Sequence, residues 1–203
     1  MKMILGKKLG MTRVFDADGN AVVVTLVEAK PNVVTQVKTL DIDGVEKVQI
    51  ALPDDKKINQ SQTGHLAKAG IKSRTIKEFP ASGENEVGQK LDVSQFQIND
   101  RVCATGISKG KGFAGTIKRH HFHLGPKTHG SDNYRQPGSI GSMYPQRVIK
   151  GRRMAGHLGH TKNTVKNLII FNIDPENNIL YLRGAVPGAN KSTVCVWSEN
   201  DQN

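Results

Sequence analysis

Apolar and β-branched residues fall in short runs, broken by Gly, Pro, Asn and Asp, along most of the chain. Short continuous or alternating runs of this kind predict strands rather than helices. Residues 21–29 (AVVVTLVEA) lie between Asp18-Gly19-Asn20 and Pro31-Asn32 and read as a strand buried on both faces. Residues 33–40 and 45–52 flank the turn Asp41-Ile42-Asp43-Gly44 and predict a hairpin. Residues 74–79 and 101–107 add two further strands, and 63–69 suits a short helix capped by Thr63 and closed by Gly70. Towards the C-terminus the same grammar gives strands at 165–173, 179–183 and 192–197, with the turn Asp174-Pro175-Glu176-Asn177-Asn178 and a Gly/Pro break at 184–188. Many short strands at close spacing favour a barrel or sandwich over a parallel α/β sheet.

Between 106 and 166 this pattern stops. The 61 residues there hold 12 Lys/Arg against one acid, Asp132, whereas the other 142 residues carry 17 basic and 17 acidic side chains, so the whole formal charge of +11 sits in this window. It also contains 11 of the 21 glycines and six of the seven histidines, but only four aromatics: Phe113, Phe122, Tyr134 and Tyr144. The pattern divides the chain into a body at 1–105 and 167–203 and a basic extension at 106–166 inserted between its strands. A local excess of this size repels itself unless a polyanion is present, which points to nucleic acid or an anionic surface. A solvated basic face is the plainer reading, but a segment this rich in glycine and poor in apolar residues is not the polar side of packed elements. Cys103 and Cys195 each sit in an apolar run and read as small core residues rather than a disulfide. No apolar stretch approaches 18 residues, and Lys7 and Lys8 interrupt any signal-peptide core, so a soluble cytosolic protein without membrane partner is expected.

The window contains a literal G-x-G-x-x-G at Gly110, Gly112 and Gly115, after an apolar strand and before a helix-like run at 113–120. A dinucleotide site also needs a second strand ending in an acid about 20 residues on. Asp132 has the spacing but no strand to carry it, which argues against an NAD-type oxidoreductase. Glycines beside Lys109 and Lys111 are better explained by close approach of backbone N–H groups to phosphates, or by a hinge. The histidines raise a metal-dependent nuclease as a further alternative, but no C-x-x-C and no Asp/Glu cluster completes a ligand set. Residues 147–157 (RVIKGRRMAGH) lack an apolar helical face and suit an extended chain between phosphates. No paired carboxylates, nucleophile elbow or cysteine nucleophile is present in the window, so no enzyme activity and no cofactor are expected.

Five motifs, in order, resemble the bacterial ribosomal protein L3 family: Gly6-Lys7-Lys8-Leu9-Gly10-Met11-Thr12, GKGFAGTIKRHHF at 110–122, Pro137-Gly138-Ser139-Ile140-Gly141, KGRRMAGHLG at 150–159 and Gly184-Ala185-Val186-Pro187-Gly188. The resemblance implies a mainly β fold, a translation-factor-like β-barrel with a small α+β portion and a long basic irregular extension. It implies a structural constituent of the large ribosomal subunit that binds 23S rRNA and joins assembly early, with neighbouring large-subunit proteins as partners and no small-molecule substrate. The side chains expected to meet RNA are Lys7, Lys8, Lys109, Lys111, Lys118, Arg119, His120, His121, His123, Lys127, His129, Arg135, Arg147, Lys150, Arg152, Arg153, His157, His160, Lys162 and Lys166. The extension's tip, Gln136, Pro137, Gly138, Ser139, Ile140, Gly141, Ser142, Met143 and Tyr144, is implied to reach toward the peptidyl transferase centre. Only Ser142-Met143-Tyr144 stands between Gly141 and Pro145, without the glutamine that is methylated in enterobacterial members.

Overall fold

The computed structural model of the chain describes residues 2–54, 57–81 and 85–198. Every candidate site residue lies within them, whereas the ends of the expected body, at 1 and 199–203, lie outside. The chain forms two compact units, one of Met1–Ser108 with Lys162–Asn203, the other of Lys109–Thr161. The strands among the described residues are β1 (Met3–Phe15), β2 (Ala21–Glu28), β3 (Asn32–Lys38), β4 (Lys47–Leu52), β5 (Thr75–Pro80), β6 (Lys90–Leu91), β7 (Arg101–Ile107), β8 (Phe113–Ala114), β9 (Gly156–His157), β10 (Lys162–Asp174), β11 (Ile179–Arg183) and β12 (Thr193–Trp197). Three short α-helices accompany them among the described residues, α1 (Leu40–Asp43), α2 (Gln60–Leu66) and α3 (Thr116–His120). None of them is long and apolar enough to cross a membrane.

In the first unit six strands close into an antiparallel barrel in the order β1-β12-β7-β10-β11-β2, which leaves no exposed sheet edge. The fold is mainly β, and of the barrel and sandwich that the pattern allows it is the barrel that the resemblance implies. Its core takes residues from all six strands, among them Ile4, Val27, Ala104, Ile170, Leu182 and Val196, joined by Val93, Phe96 and Val186. A second sheet, β5-β4-β3-β6, makes its own cluster from Val34, Val48, Ile50, Leu52 and Phe79, and closes it on Met3 and Leu5 of β1 and on Cys195 and Trp197 of β12. The start of β1 is therefore buried on both faces, Ile4 towards the barrel core and Met3 and Leu5 under the second sheet.

Asn32 pins the two layers together. It is fully buried, and its amide accepts from the Leu5 N–H at 2.6 Å while donating to the Leu5 carbonyl at 3.0 Å and the Lys30 carbonyl at 2.7 Å. An amide side chain thus satisfies strand groups that a neighbouring backbone would otherwise meet. Cys103 is buried and Cys195 half-buried, and both are free thiols.

Several local expectations change. β1 carries Gly6, Lys7, Lys8 and Gly10, which hide its strand character, and a bulge between Lys8 and Gly10 re-phases it. Gly6 has a packing reason: a Cβ there would lie 2.6 Å from a Val27 methyl and 2.7 Å from the Glu28 carbonyl oxygen. β2 is not buried on both faces throughout, since Val22 and Val24 are buried while Val23 is 52% exposed. The helix at 63–69 begins earlier: Asn59 is the cap, its N–H donates to Gln62 Oε1 at 3.4 Å, and Thr63 lies inside α2 with its hydroxyl on the Asn59 carbonyl. A 3₁₀ turn over Ala67–Ala69 then ends at Gly70, whose φ of 65° is left-handed as its role as a stop requires.

Candidate nucleic-acid interface

The second unit, Lys109–Thr161, holds ten Lys/Arg and one acid, so no internal neutralisation is available to it. Its regular structure is small. β8 pairs with β9 through Phe113↔His157 and Ala114↔Gly156, and two backbone bonds of 2.9 Å, Lys111 N–H to the Leu158 carbonyl and Leu158 N–H to the Gly112 carbonyl, extend the ladder. Gly159 makes the close approach possible: its φ is 77°, and a Cβ there would lie 2.2 Å from the Lys109 carbonyl oxygen. Around Gly112, by contrast, no atom lies within 4 Å of a would-be Cβ. The side of the chain on which that Cβ would stand is open.

Of the helix-like run at 113–120 only α3 is helical, because Phe113 and Ala114 are taken by the ladder. Lys118, Arg119 and His120 fill the last turn of α3, where cations meet the negative end of the helix dipole, and His121 closes it in the left-handed region with φ 58°. Arg119 and His120 are half-buried struts: Arg119 Nη1 donates to the Met154 carbonyl at 2.7 Å and His120 Nε2 contacts the same oxygen at 3.0 Å. A carbonyl only accepts, so Nε2 is the protonated ring nitrogen of His120. Further along, the Gly125 N–H bonds the Tyr134 carbonyl at 2.9 Å and closes a loop in which Lys127 Nζ sits 5.7 Å from the Tyr134 ring centroid. The Arg152 guanidinium donates to the Ser139 carbonyl, while Ser139 Oγ donates to the Gly141 carbonyl at 2.7 Å. The segment 139–152 therefore folds back on itself through Arg152.

Lys109, Lys111, Lys118, His121, His123, Lys127, His129, Arg135, Arg147, Lys150, Arg152, Arg153, His157 and His160 are all exposed. Lys162 and Lys166 are exposed too, but belong to barrel strand β10. Lys7 is half-buried on β1. Lys8 stands apart: it is 6% exposed, and its Nζ donates to the Val186 carbonyl at 2.8 Å, so its charge serves the barrel rather than a surface. At the expected tip Gln136, Pro137, Gly138, Ser139, Ile140, Gly141, Ser142, Met143 and Tyr144 are exposed, Met143 to 88% and Tyr144 to 85%.

Phe113, at 80% exposure beside Gly112, is a candidate contact that composition alone misses. A strand phenylalanine looks like core until its partner strand is seen to be only two residues long. An exposed ring offers a face on which a base can stack.

The alternative chemistries find no scaffold. The G-x-G-x-x-G leads into an antiparallel two-residue ladder and a five-residue helix instead of a βαβ unit, and Asp132 lies on no strand. Among the described residues no three His, Cys, Asp or Glu side chains converge as a metal would require.

Comparison with known proteins agrees with the motifs. Residues 58–179 match the family model described as ribosomal protein L3. A protein named large ribosomal subunit protein uL3 from Streptococcus pyogenes serotype M1 is 48% identical over 200 residues, 97% of this chain and 96% of the relative. The protein of the same name from Streptococcus mutans serotype c is 46% identical over the same span. With five ordered motifs, a closed β-barrel and nearly full-length identity of this level, the chain belongs to the ribosomal protein L3 family.

Proposed function

We propose that the chain is a structural, non-catalytic constituent of the large ribosomal subunit in the cytoplasm, and that it binds 23S rRNA directly through the exposed cations of 109–161 with Lys162 and Lys166 on β10. The observation that carries this reading is the ten Lys/Arg against one acid in a unit with almost no apolar interior. Phosphates supply the missing counter-charge, and release of their condensed cations drives association. Exposed Phe113 and Tyr144 add stacking faces, which suits single-stranded or bulged RNA better than a regular duplex.

In this reading the barrel docks on RNA and the basic segment, residues 106–166 in the charge pattern, threads between helices, with 136–144 towards the peptidyl transferase centre. A long-range cationic segment engaging RNA from several helices also accounts for joining assembly early and for neighbouring large-subunit proteins as partners. The test is affinity for a 23S rRNA fragment from the 3′ region as a function of salt. If about six cations neutralise phosphates, affinity falls roughly 10³-fold between 50 and 200 mM salt. Lys109→Ala lowers the log-log slope by about 0.9, whereas Lys8→Ala leaves it unchanged. A salt-independent affinity overturns the reading.

A further inference from the structure

β5 is an edge strand whose free side faces a trench. Among the described residues only β4 pairs with it, and the register runs from Lys47↔Pro80 to Leu52↔Thr75. The Ala81 N–H donates to the Glu46 carbonyl at 3.3 Å, which fixes the phase of the ladder. In an antiparallel pair hydrogen-bonded and non-hydrogen-bonded positions alternate. Phe79 and Lys77 therefore bond β4, while Glu78 and Ile76 turn both N–H and C=O away from it. Pro80, which has no N–H to give, falls on the outward phase, where the ladder loses nothing.

Four consecutive residues, Lys77 to Pro80, line one side of a cavity of about 440 Å³. Side chains alternate across a strand, so a run of four can line one space only if the strand's edge faces it. The opposite wall comes from the barrel and includes Ile107, Thr164, Cys195 and Trp197. Lys77 and Lys162 are exposed at this trench; burial holds the Cys195 thiol above its usual pKa range, and the two ammonium groups oppose that rise only in part. Neither makes an ion pair with a carboxylate among the described residues.

We propose that the β5 edge and this trench form a strand-addition site for an extended segment of another polypeptide, with alternate apolar side chains entering the trench and a carboxylate meeting Lys77. Paired outward N–H and C=O groups at Ile76 and Glu78 repeat at the two-residue spacing of a strand, which another peptide backbone matches and a sugar-phosphate chain does not. Lysine and proline on the edge also blunt uncontrolled pairing, so the site favours a segment that satisfies the Lys77 ammonium group. The proposal rests on the assignment to the large subunit only in placing the occupant among its protein neighbours.

Two measurements on the full chain test it. The acidic probe peptide acetyl-Glu-Val-Thr-Val-Thr-Val-amide is expected to shift the emission of Trp197, the chain's one tryptophan, and to slow amide exchange at Ile76 and Glu78 at least tenfold. Glu78→Pro, which removes an outward N–H, abolishes both effects, and Glu78→Ala, which keeps it, does not. Should Glu78→Pro fail to fold by the unperturbed emission of Trp197, Lys77→Glu replaces it and is expected to weaken binding of the acidic peptide at least tenfold. In large subunits purified from cells, a photoreactive benzoylphenylalanine in place of Ile107 is expected to give a polypeptide adduct that the edge variant reduces at least tenfold. Unchanged exchange at Ile76 and Glu78, an RNA adduct, no adduct, or an adduct indifferent to the edge variant overturns strand addition. Absence of the chain from large subunits before irradiation counts instead against the subunit assignment, and the peptide measurement then decides the edge by itself.

Discussion

Asn32 and Lys8 show how much a single polar side chain decides in this barrel. Asn32→Ala removes three hydrogen bonds and strands the Leu5 N–H and carbonyl in a buried layer. An unsatisfied buried backbone group costs about 1–3 kcal/mol, so a loss of roughly 2–4 kcal/mol is expected, read by urea denaturation as a lower midpoint at unchanged slope. Lys7 and Lys8 look alike in the chain, yet one is half-buried near the surface and the other is held by the Val186 carbonyl. Strand alternation and the bulge after Lys8 separate them, and neither is visible in the two letters alone.

The second sheet is held along its outer face by charge as well as by its apolar cluster. Lys38 Nζ lies 2.7 Å from Glu78 Oε1, bridging β3 and β5 across β4, with Lys47 at 4.0 Å from the other oxygen. The Lys38 hydrogen bond is the main reason the Glu78 carboxyl lies below its usual range, with partial burial opposing it. A carboxyl depressed in the folded state stabilises above its unfolded pKa and loses that contribution as pH falls through the folded value. Acidification from about pH 5 to about pH 3 is therefore expected to destabilise the native chain more steeply than Glu78→Gln in thermal melts. Because the pair is partly exposed, 1 M salt should shrink the difference. A difference that persists in high salt would argue against this pair.

Element type was legible wherever a run was apolar and bounded by turn residues. β11 is found where the pattern puts it, and β4, β5 and β7 differ at most by a residue or two. β1 was not legible, because its glycines and lysines are there for packing against Val27 and Glu28 and for the Val186 carbonyl, which are contacts distant in sequence. α2 began early because a capping box at Asn59 and Gln62 outweighed the hydroxyl of Thr63.

For the molecule as a whole, the place to cut differs from the limits of the charge window. β7 runs to Ile107 and β10 starts at Lys162, and these two residues are direct partners across the barrel wall. Replacing 109–161 by a short glycine-rich turn is expected to leave a barrel that melts cooperatively with an unchanged far-UV β signal. Removing 106–166 instead takes away the rungs Lys162↔Ile107, Asn163↔Gly106, Thr164↔Thr105 and Val165↔Ala104, and is expected to abolish the cooperative melt. Equal behaviour of the two deletions would show that these rungs do not support the barrel.

Charge segregation, strand content and the ordered motifs were all readable along the chain, since each depends on local composition or short-range periodicity. A net charge of +11 confined to one stretch states its need for a polyanion without any coordinates. Barrel closure, the two-faced burial of Met3 to Leu5, the diversion of Lys8 and the open edge of β5 depend on which distant segments meet. Strand pairing is a choice among partners far apart in sequence, settled by the packing of all of them at once, and no local pattern records that choice.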